Sequence, residues 1–480
     1  MIFSSFAKRI DGLQYLADKM ELSGSRVRRY LLKTPFVYRA EELERQFGHI
    51  EKAVTILENV ANAPKVMQLR HLLASVHDIK GTLEGLKNNR VLDEIELFEL
   101  KHFASLCKDI RLLCEGFGIM DFAPSCLRDV FDLLDPDKTG MSGFYLYDSY
   151  SSALAAARKE ASAAKAEENP EGWQEAAERM QKEEWRVREM LSDALSRMHA
   201  GLQSNFDNLA YLEIIFAKAA LAKRYGMVRP RIIPLKGAGG TDGALWVRNM
   251  VNPVLADVLQ AQGLAFQPVS VTLHKGPCLL TGANMSGKTV VLKTLALIQA
   301  LTQFAFFVPA EEAVIPLVKD VFLVLGDKQD QSRGLSSFAA EMLELNEIMG
   351  IVKKGTPVLL LADEPARTTN PAEGAAILCA TVVFMEQYGV RSLISTHYGD
   401  LDLRVRKLRV AGFEGDRVTG LLKPSTINTY MNYSLLEDTG GSVPKEALLI
   451  ARLLGVDASF IDLAQDFLKK KDDERIKTGT

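Results

Sequence analysis

Two stretches of this chain carry residue types suited to handling phosphate. Gly282-Ala283-Asn284-Met285-Ser286-Gly287-Lys288-Thr289 fits the spacing G-x-x-x-x-G-K-[ST], after the apolar run Cys278 to Thr281 and before a helix-period segment. In such a loop the glycines let backbone amides turn inward. Lys288 then neutralises the β and γ oxygens, and Thr289 offers a hydroxyl to Mg²⁺. Downstream, Val358 to Ala362 reads as a buried strand that ends in Asp363 and Glu364. Where a strand ends the chain turns, leaving Asp363 to face the metal and Glu364 to reach the water attacking a γ-phosphate. The pair of stretches predicts an ATP and Mg²⁺ site in which Lys288 and Glu364 act on the phosphates.

A third apolar strand, Leu393 to Ser395, runs into Thr396 and His397 at the same sheet edge, a position suited to sensing the γ-phosphate. A histidine there also serves for packing or capping. Between the carboxylates and the loop lie Gly326-Asp327-Lys328-Gln329 and Gly334-Leu335-Ser336-Ser337-Phe338-Ala339-Ala340-Glu341. The second reads as a surface loop whose Ser336 or Ser337 caps a helix beginning near Phe338, and a helix N-terminus is itself an anion site.

These residues need a frame. After Arg229-Pro230 and the glycine cluster 237–240, short β-type runs alternate with helices, which is how a parallel sheet with crossover helices is written. Predicted strands are Val269 to Leu273, Cys278 to Thr281, Val321 to Val324, Val358 to Ala362 and Ser392 to Ser395. The fold class is therefore an α/β P-loop domain with a mostly parallel sheet, preceded by an all-α part. Helix periodicity such as Ile50, Val54, Leu57 and Val60 dominates from Met1 to about Tyr225. Within it, the turn formers from Asp135 to Gly140 end one unit. Residues 149–225 suggest two long helices folded into a hairpin at Asn169-Pro170-Glu171-Gly172, an arm of mixed charge. The expected domains are thus 1–148 as a helical core, 149–225 as the arm, 226–430 as the nucleotide domain and 431–480 as a helical tail.

With 480 residues, 47% apolar and 25% charged, the chain has ample material for cores and the balance of a globular protein. A formal net charge of −3 excludes a global basic excess that would hold nucleic acid or an anionic membrane by charge alone. Its five cysteines form no C-x-x-C pair, and Lys8, Arg9 and Asp11 interrupt any early apolar run, so a reducing, cytoplasmic setting is expected. The apolar stretch Leu295 to Pro309 is interrupted by Gln299, Thr302 and Gln303, and no membrane span is expected.

In this order the motifs resemble the ATPase domain of the MutS family, DNA mismatch-repair and recombination ATPases related to ABC-type ATPases. Thr281 to Thr289 is similar to that family's T-G-P-N-M-G-G-K-S/T, with Asn284 and Met285 kept, Ala283 in place of proline and Ser286 in place of glycine. Ser336 to Glu341 resembles its S-T-F-x-x-E signature, and Ser395-Thr396-His397-Tyr398 its T-H-Y switch. Thr369-Asn370-Pro371-Ala372-Glu373-Gly374 and Gly326 to Gln329 resemble elements of the mismatch-independent branch, with Thr368 where that branch has glycine. The resemblance implies that Phe266 stacks on adenine and that Gln329 serves the metal or the attacking water. It also implies that Ser336, Ser337 and Phe338 complete the γ-phosphate pocket of a second subunit.

The same resemblance implies a nucleotide-driven dimer, homodimeric or paired with a paralogue, using the tail from Gly441 to Ala464. It implies a helical lever and clamp around DNA. No mismatch-reading domain is expected ahead of the helices, no F-x-E wedge occurs there, and no appended nuclease is expected, which argues against classical mismatch recognition. Three functions stay open: an ATP-gated DNA clamp of repair or recombination type, an ATPase that remodels a protein client, and an ATP-dependent structural dimer with no DNA role. The second is similar to the reactivating ATPases of cobalamin-dependent aminomutases.

Overall fold

A computed structural model describes residues 1–480 apart from 142, 236–242, 284–285, 327–336, 368, 399–400, 402, 419–421, 423, 439–445 and 479–480. Helices fill the first part: α1 (Phe3–Ala7), α2 (Asp11–Asp18), α3 (Ser25–Lys33), α4 (Ala40–Glu58), α5 (Ala63–Ala74), α6 (Lys80–Lys87), α7 (Glu94–Phe117), α8 (Arg128–Leu133), α9 (Ser152–Ala166), α10 (Pro170–Arg197) and α11 (His199–Tyr225). Mixed α/β structure follows: β1 (Arg231–Ile233), β2 (Leu245–Met250), α12 (Pro253–Ala261), β3 (Val269–Leu273), β4 (Pro277–Thr281), α13 (Lys288–Gln303), β5 (Glu312–Pro316), β6 (Asp320–Leu325), α14 (Ser337–Lys353), β7 (Val358–Asp363), α15 (Pro371–Gln387), β8 (Arg391–Thr396), β9 (Arg406–Phe413) and β10 (Met431–Glu437). Helices α16 (Glu446–Leu453) and α17 (Ala458–Thr478) close the chain. Among the described residues no helix is long and apolar enough to cross a membrane.

The chain divides into two compact units that are discontinuous in sequence. One comprises Met1–Lys19, Pro35–Phe47 and Leu221–Thr480, and the other Met20–Thr34 and Gly48–Ala220.

The helical unit is organised by α7. Asp93 caps this helix by accepting from Glu96 N while Glu96 reaches back to Asp93 N, and Gly118 ends it in a left-handed conformation at φ 72°. Its buried stripe runs Leu97, Leu100, Phe103, Cys107, Ile110 and Cys114, the spacing of one helix face. Helices α9 and α10 pack antiparallel, as the pairs Arg158–Glu184 at 3.1 Å and Arg179–Glu160 at 3.0 Å require. Asn169 caps α10 from the predicted break. The sequence suggests two helices over 149–225; the structure has three, because the chain also breaks between Arg197 and His199. No glycine or proline stands at Met198, so nothing local announces that break.

Lys101, a charged residue fully buried in the middle of α7, is held at its ammonium by Asp135 Oδ1 (3.1 Å), Gly143 O (2.9 Å) and Tyr147 OH (3.0 Å). Asp135 also accepts from Thr139 Oγ1 (2.7 Å) and Gly140 N (2.8 Å). Burial works against the Asp135 charge, but these hydrogen bonds and the Lys101 ammonium outweigh it and hold the carboxyl well below its usual range. The turn formers at 135–140 thus wrap a buried ion pair.

In the other unit a six-stranded sheet has the order β10-β9-β4-β8-β7-β6, parallel throughout except for the antiparallel β10–β9 pair. Every residue of β4 and β8 is buried, as in strands covered on both faces, with Arg391, Ser392, Ser395 and Thr396 of β8 among the buried polar residues. Registers set Thr281 beside Thr396, Ser395 beside Asp363, and Asp363 beside Leu325, so the carboxyl ends of four strands form one edge. A second sheet, β1-β5-β2-β3, is mostly antiparallel.

Helix α13 runs from the phosphate-loop position through the middle of this unit, buried without interruption from Thr294 to Gln303. Its far end rests on aromatics from the first residues of the chain: Phe3–Phe304 at 5.0 Å, Phe6–Phe304 at 5.3 Å and Phe36–Phe304 at 5.3 Å between ring centroids. Gln303 Nε2 donates to Val37 O (3.0 Å) and Val318 O (2.8 Å), satisfying a buried amide. Helix α2 crosses so closely that a Cβ on Gly12 would stand 2.8 Å from Leu297 Cδ2.

Candidate functional site

The loop between β4 and α13 depends on two unusual backbone conformations. Gly282 has φ 154° and Gly287 φ 84°, and a Cβ on Gly287 would also lie 3.0 Å from the Tyr433 ring. Lys288 opens α13 and is 6% exposed; its Nζ donates to the carbonyls of Gly282 (2.8 Å) and Ala283 (3.1 Å) across the loop. Ser286 Oγ is buried with no hydrogen-bond partner among the described residues. An ammonium and an unpartnered hydroxyl converging on a turn at a helix N-terminus suit the oxygens of a phosphate. Asn284 and Met285 lie outside the described residues.

One residue further, Thr289 Oγ1 donates to Asp363 Oδ2 at 2.5 Å, and Ser395 Oγ donates to Asp363 Oδ1 at 2.5 Å. A hydroxyl and a carboxylate so placed are the hard oxygen donors Mg²⁺ takes alongside phosphate oxygens. The described residues contain no cluster of three His, Cys, Asp or Glu able to hold a metal alone. The oxygens of Thr289 and Asp363 fit an ion such as Mg²⁺ that takes its other ligands from phosphate and water. Gln329, the third metal candidate, lies outside the described residues.

Glu364 follows immediately at φ 47°, a left-handed conformation uncommon outside glycine. Its carboxylate stands 3.6 Å from Lys288 Nζ, 3.6 Å from Arg367 and 3.6 Å from His397 Nδ1. Its backbone N–H donates to Ser395 Oγ (3.0 Å) and to Ser395 O (3.2 Å), tying the turn after β7 to the end of β8. The structure thus brings Lys288, Thr289, Asp363, Glu364 and His397 together at the sheet edge. Phe338 lies in the first turn of α14; Ser337 begins that helix, its side chain is not described, and Ser336 lies outside the described residues.

Beside the loop opens a cavity of about 510 Å³, lined among others by Leu255 and Leu259 of α12, Phe266, Val290 of α13 and Tyr433 of β10. Apolar walls with a few polar groups suit a planar heteroaromatic ring. Phe266 is where the sequence placed an aromatic. Tyr433 faces the same cavity and went unread, along with Asn428 and Met431. Gln267 holds the two sides together: its Oε1 accepts from Tyr433 N (3.1 Å), and its Nε2 donates to Asn432 Oδ1 (3.2 Å) and Ser434 Oγ (3.3 Å). Burial raises the pKa of the Tyr433 hydroxyl, which therefore stays neutral. The readable signal for this wall was the alternation Leu408, Val410, Gly412 in β9, whose hairpin partner is β10.

Residues 278–470 match the family model for MutS domain V. The chain is 30% identical over 286 residues to a protein named Endonuclease MutS2 from Agathobacter rectalis, which covers 59% of this chain and 33% of that protein. Against Endonuclease MutS2 from Caldicellulosiruptor saccharolyticus it is 30% identical over 292 residues, 60% of this chain and 34% of the relative. It is also 30% identical over 223 residues to the DNA mismatch repair protein MutS of Geobacillus kaustophilus, 46% of this chain and 23% of that one. The match spans about a third of the length of the MutS2 relatives.

Proposed function

Because this chain belongs to the MutS family, we propose that it binds and hydrolyses ATP with Mg²⁺, and couples that cycle to a dimer acting in DNA repair or recombination. The observation that carries the reading is the convergence of Thr289, Asp363, Lys288 and Glu364 at one sheet edge, with Thr289 Oγ1 2.5 Å from Asp363 and Lys288 Nζ 3.6 Å from Glu364.

In this mechanism the base of ATP enters the cavity between Phe266 and Tyr433, and the phosphates lie along the loop 282–289. Mg²⁺, held by Thr289 and Asp363, would neutralise charge on the β and γ oxygens. Lys288 exchanges its carbonyl partners for phosphate oxygens. Glu364 accepts a proton from water as the new oxygen–phosphorus bond forms and the bond to the ADP oxygen breaks. His397, 3.6 Å from Glu364, orients that carboxylate and responds to the γ-phosphate. The first turn of α14, with Ser336, Ser337 and Phe338, would serve the nucleotide of a second subunit, so ATP supplies the charge joining two copies and hydrolysis removes it.

One observation favours a protein client over DNA for the arm. The α9–α10 cations Arg158, Arg179 and Arg186 are paired with Glu184, Glu160 and Glu183 of the arm itself. ATP hydrolysis by the purified chain, alone and with homoduplex, mismatched or branched DNA at two salt concentrations, decides between them. Salt-sensitive stimulation by DNA supports the clamp. ATPase activity indifferent to every DNA supports the protein client, and absence of ATPase activity under all conditions overturns both.

A further inference from the structure

Glu341 has no part in the chemistry described above, yet it is 6% exposed and its carboxylate has a definite partner among the described residues. From the first turns of α14, Oε1 accepts from Ala366 N at 2.8 Å. Ala366 lies in the turn that follows β7, and this turn is strained twice, at Glu364 (φ 47°) and at Ala366 itself (φ 61°). Left-handed alanine persists only when its surroundings over-determine it. Here Ser395 accepts from the N–H of Glu364, Glu341 accepts from the N–H of Ala366, and Gly374 of α15 lies close against Ala366. A Cβ on Gly374 would stand 3.0 Å from Ala366 O and 2.8 Å from the Tyr398 hydroxyl.

We propose that Glu341 is a positioning residue for Glu364: its buried hydrogen bond to Ala366 N clamps the left-handed turn, and so ties the orientation of Glu364 to the first turn of α14. This rests on the reading of Glu364 as the base and deepens it. Because Ser337 and Phe338 share that first turn, seating α14 against a second subunit's nucleotide pulls on the subunit's own Glu364. Burial, chiefly, raises the pKa of Glu341, with Glu344 adding to it, which suits a group serving one hydrogen bond rather than a solvated charge.

The test separates hydrolysis from binding. Glu341→Ala is expected to lower the single-turnover rate of ATP hydrolysis about 10- to 100-fold, the cost of misplacing a reacting group by roughly 1 Å, with ATP affinity unchanged. Glu341→Gln keeps an acceptor oxygen and is expected to recover most of the rate. Gly374→Ala crowds the same turn from α15 and is expected to show the same split. Parent-like hydrolysis in Glu341→Ala overturns the proposal, as does equal loss of affinity and rate, or a Gln variant no better than Ala. Glu364→Gln measured alongside reports on the base separately: if it hydrolyses ATP like the parent, the base reading fails whatever Glu341 does.

Discussion

Thr289 and Asp363 stand 74 positions apart, on α13 and at the end of β7, yet the Thr289 hydroxyl donates to the Asp363 carboxylate at 2.5 Å. With Ser395 Oγ on the other oxygen, each oxygen of the Asp363 carboxylate accepts one hydrogen bond and keeps a lone pair free. If Asp363 holds Mg²⁺ as proposed, its carboxylate is already oriented for that role. Asp363→Asn is expected to lose most Mg²⁺-dependent hydrolysis while leaving the fold intact, since the amide oxygen still accepts from one hydroxyl. Activity measured against Mg²⁺ concentration checks this, and a parent-like curve removes Asp363 from the ligand set.

Lys288 is 6% exposed, its Nζ on the Gly282 and Ala283 carbonyls and 3.6 Å from the Glu364 carboxylate. Lys288→Ala is expected to abolish ATP binding, because nothing else in the loop carries a full positive charge to the phosphates. Titration with a fluorescent ATP analogue reads the loss directly.

Glu364→Gln keeps the size and hydrogen-bonding reach of the side chain and removes the proton acceptor. Hydrolysis is expected to stall with ATP affinity retained, and the nucleotide-bound dimer to accumulate. Light scattering with ATP present should show the mass of two chains; a monomer at every ATP concentration would contradict the dimer.

The base cavity gives a graded expectation. Aromatic stacking contributes about 0.5–1.5 kcal/mol beyond burial, so Phe266→Ala or Tyr433→Ala should each weaken ATP binding by up to about tenfold. Gln267→Leu, which frees the backbone of Tyr433, should weaken it in the same direction. Equal affinities for all three variants and the parent would move the base elsewhere.

In the helical unit, Lys101→Met should cost up to about 3–5 kcal/mol, because it leaves the Asp135 charge without its cation and with only the hydrogen bonds from Thr139 and Gly140 to offset it. Chemical denaturation measures it. The Asp135 carboxyl is held below its usual range in the folded chain, so its contribution is complete above the ordinary carboxylate pKa of about 3.9 and is lost as pH falls toward the folded value. Acidification should therefore erode the stability of the parent more than that of Lys101→Met.

What could be read ahead of the structure follows from physics local to each element. Strand β7 is written as an unbroken apolar run from Val358 to Ala362, β4 and β8 are apolar at Cys278 to Leu280 and at Leu393 and Ile394, and the loop 282–289 announces itself through glycine and lysine spacing. Strands β1, β2 and β5 left little trace: β1 has three residues, and β2 carries Arg248 and Asn249 at exposed positions. The alternation in β9 marks a strand beside Tyr433 but not the cavity, because what ties Tyr433 into the wall is Gln267, 166 positions away. The same holds for Glu341, whose meaning lies in a hydrogen bond to Ala366. Helix periodicity over the first 225 residues says nothing of the fact that Phe3, Phe6 and Phe36 belong with Phe304.

That last pairing bears on how the chain is made. Phe3 and Phe6 leave the ribosome about three hundred residues ahead of Phe304, and at roughly 5–20 residues per second they wait on the order of 15–60 seconds for it. Until then two rings meant for a dry cluster are open to water and to any chaperone that recognises them. Since such distant closures slow folding, the nucleotide unit is expected to become protease-resistant only after its last strand is out, whereas the helical unit can close first.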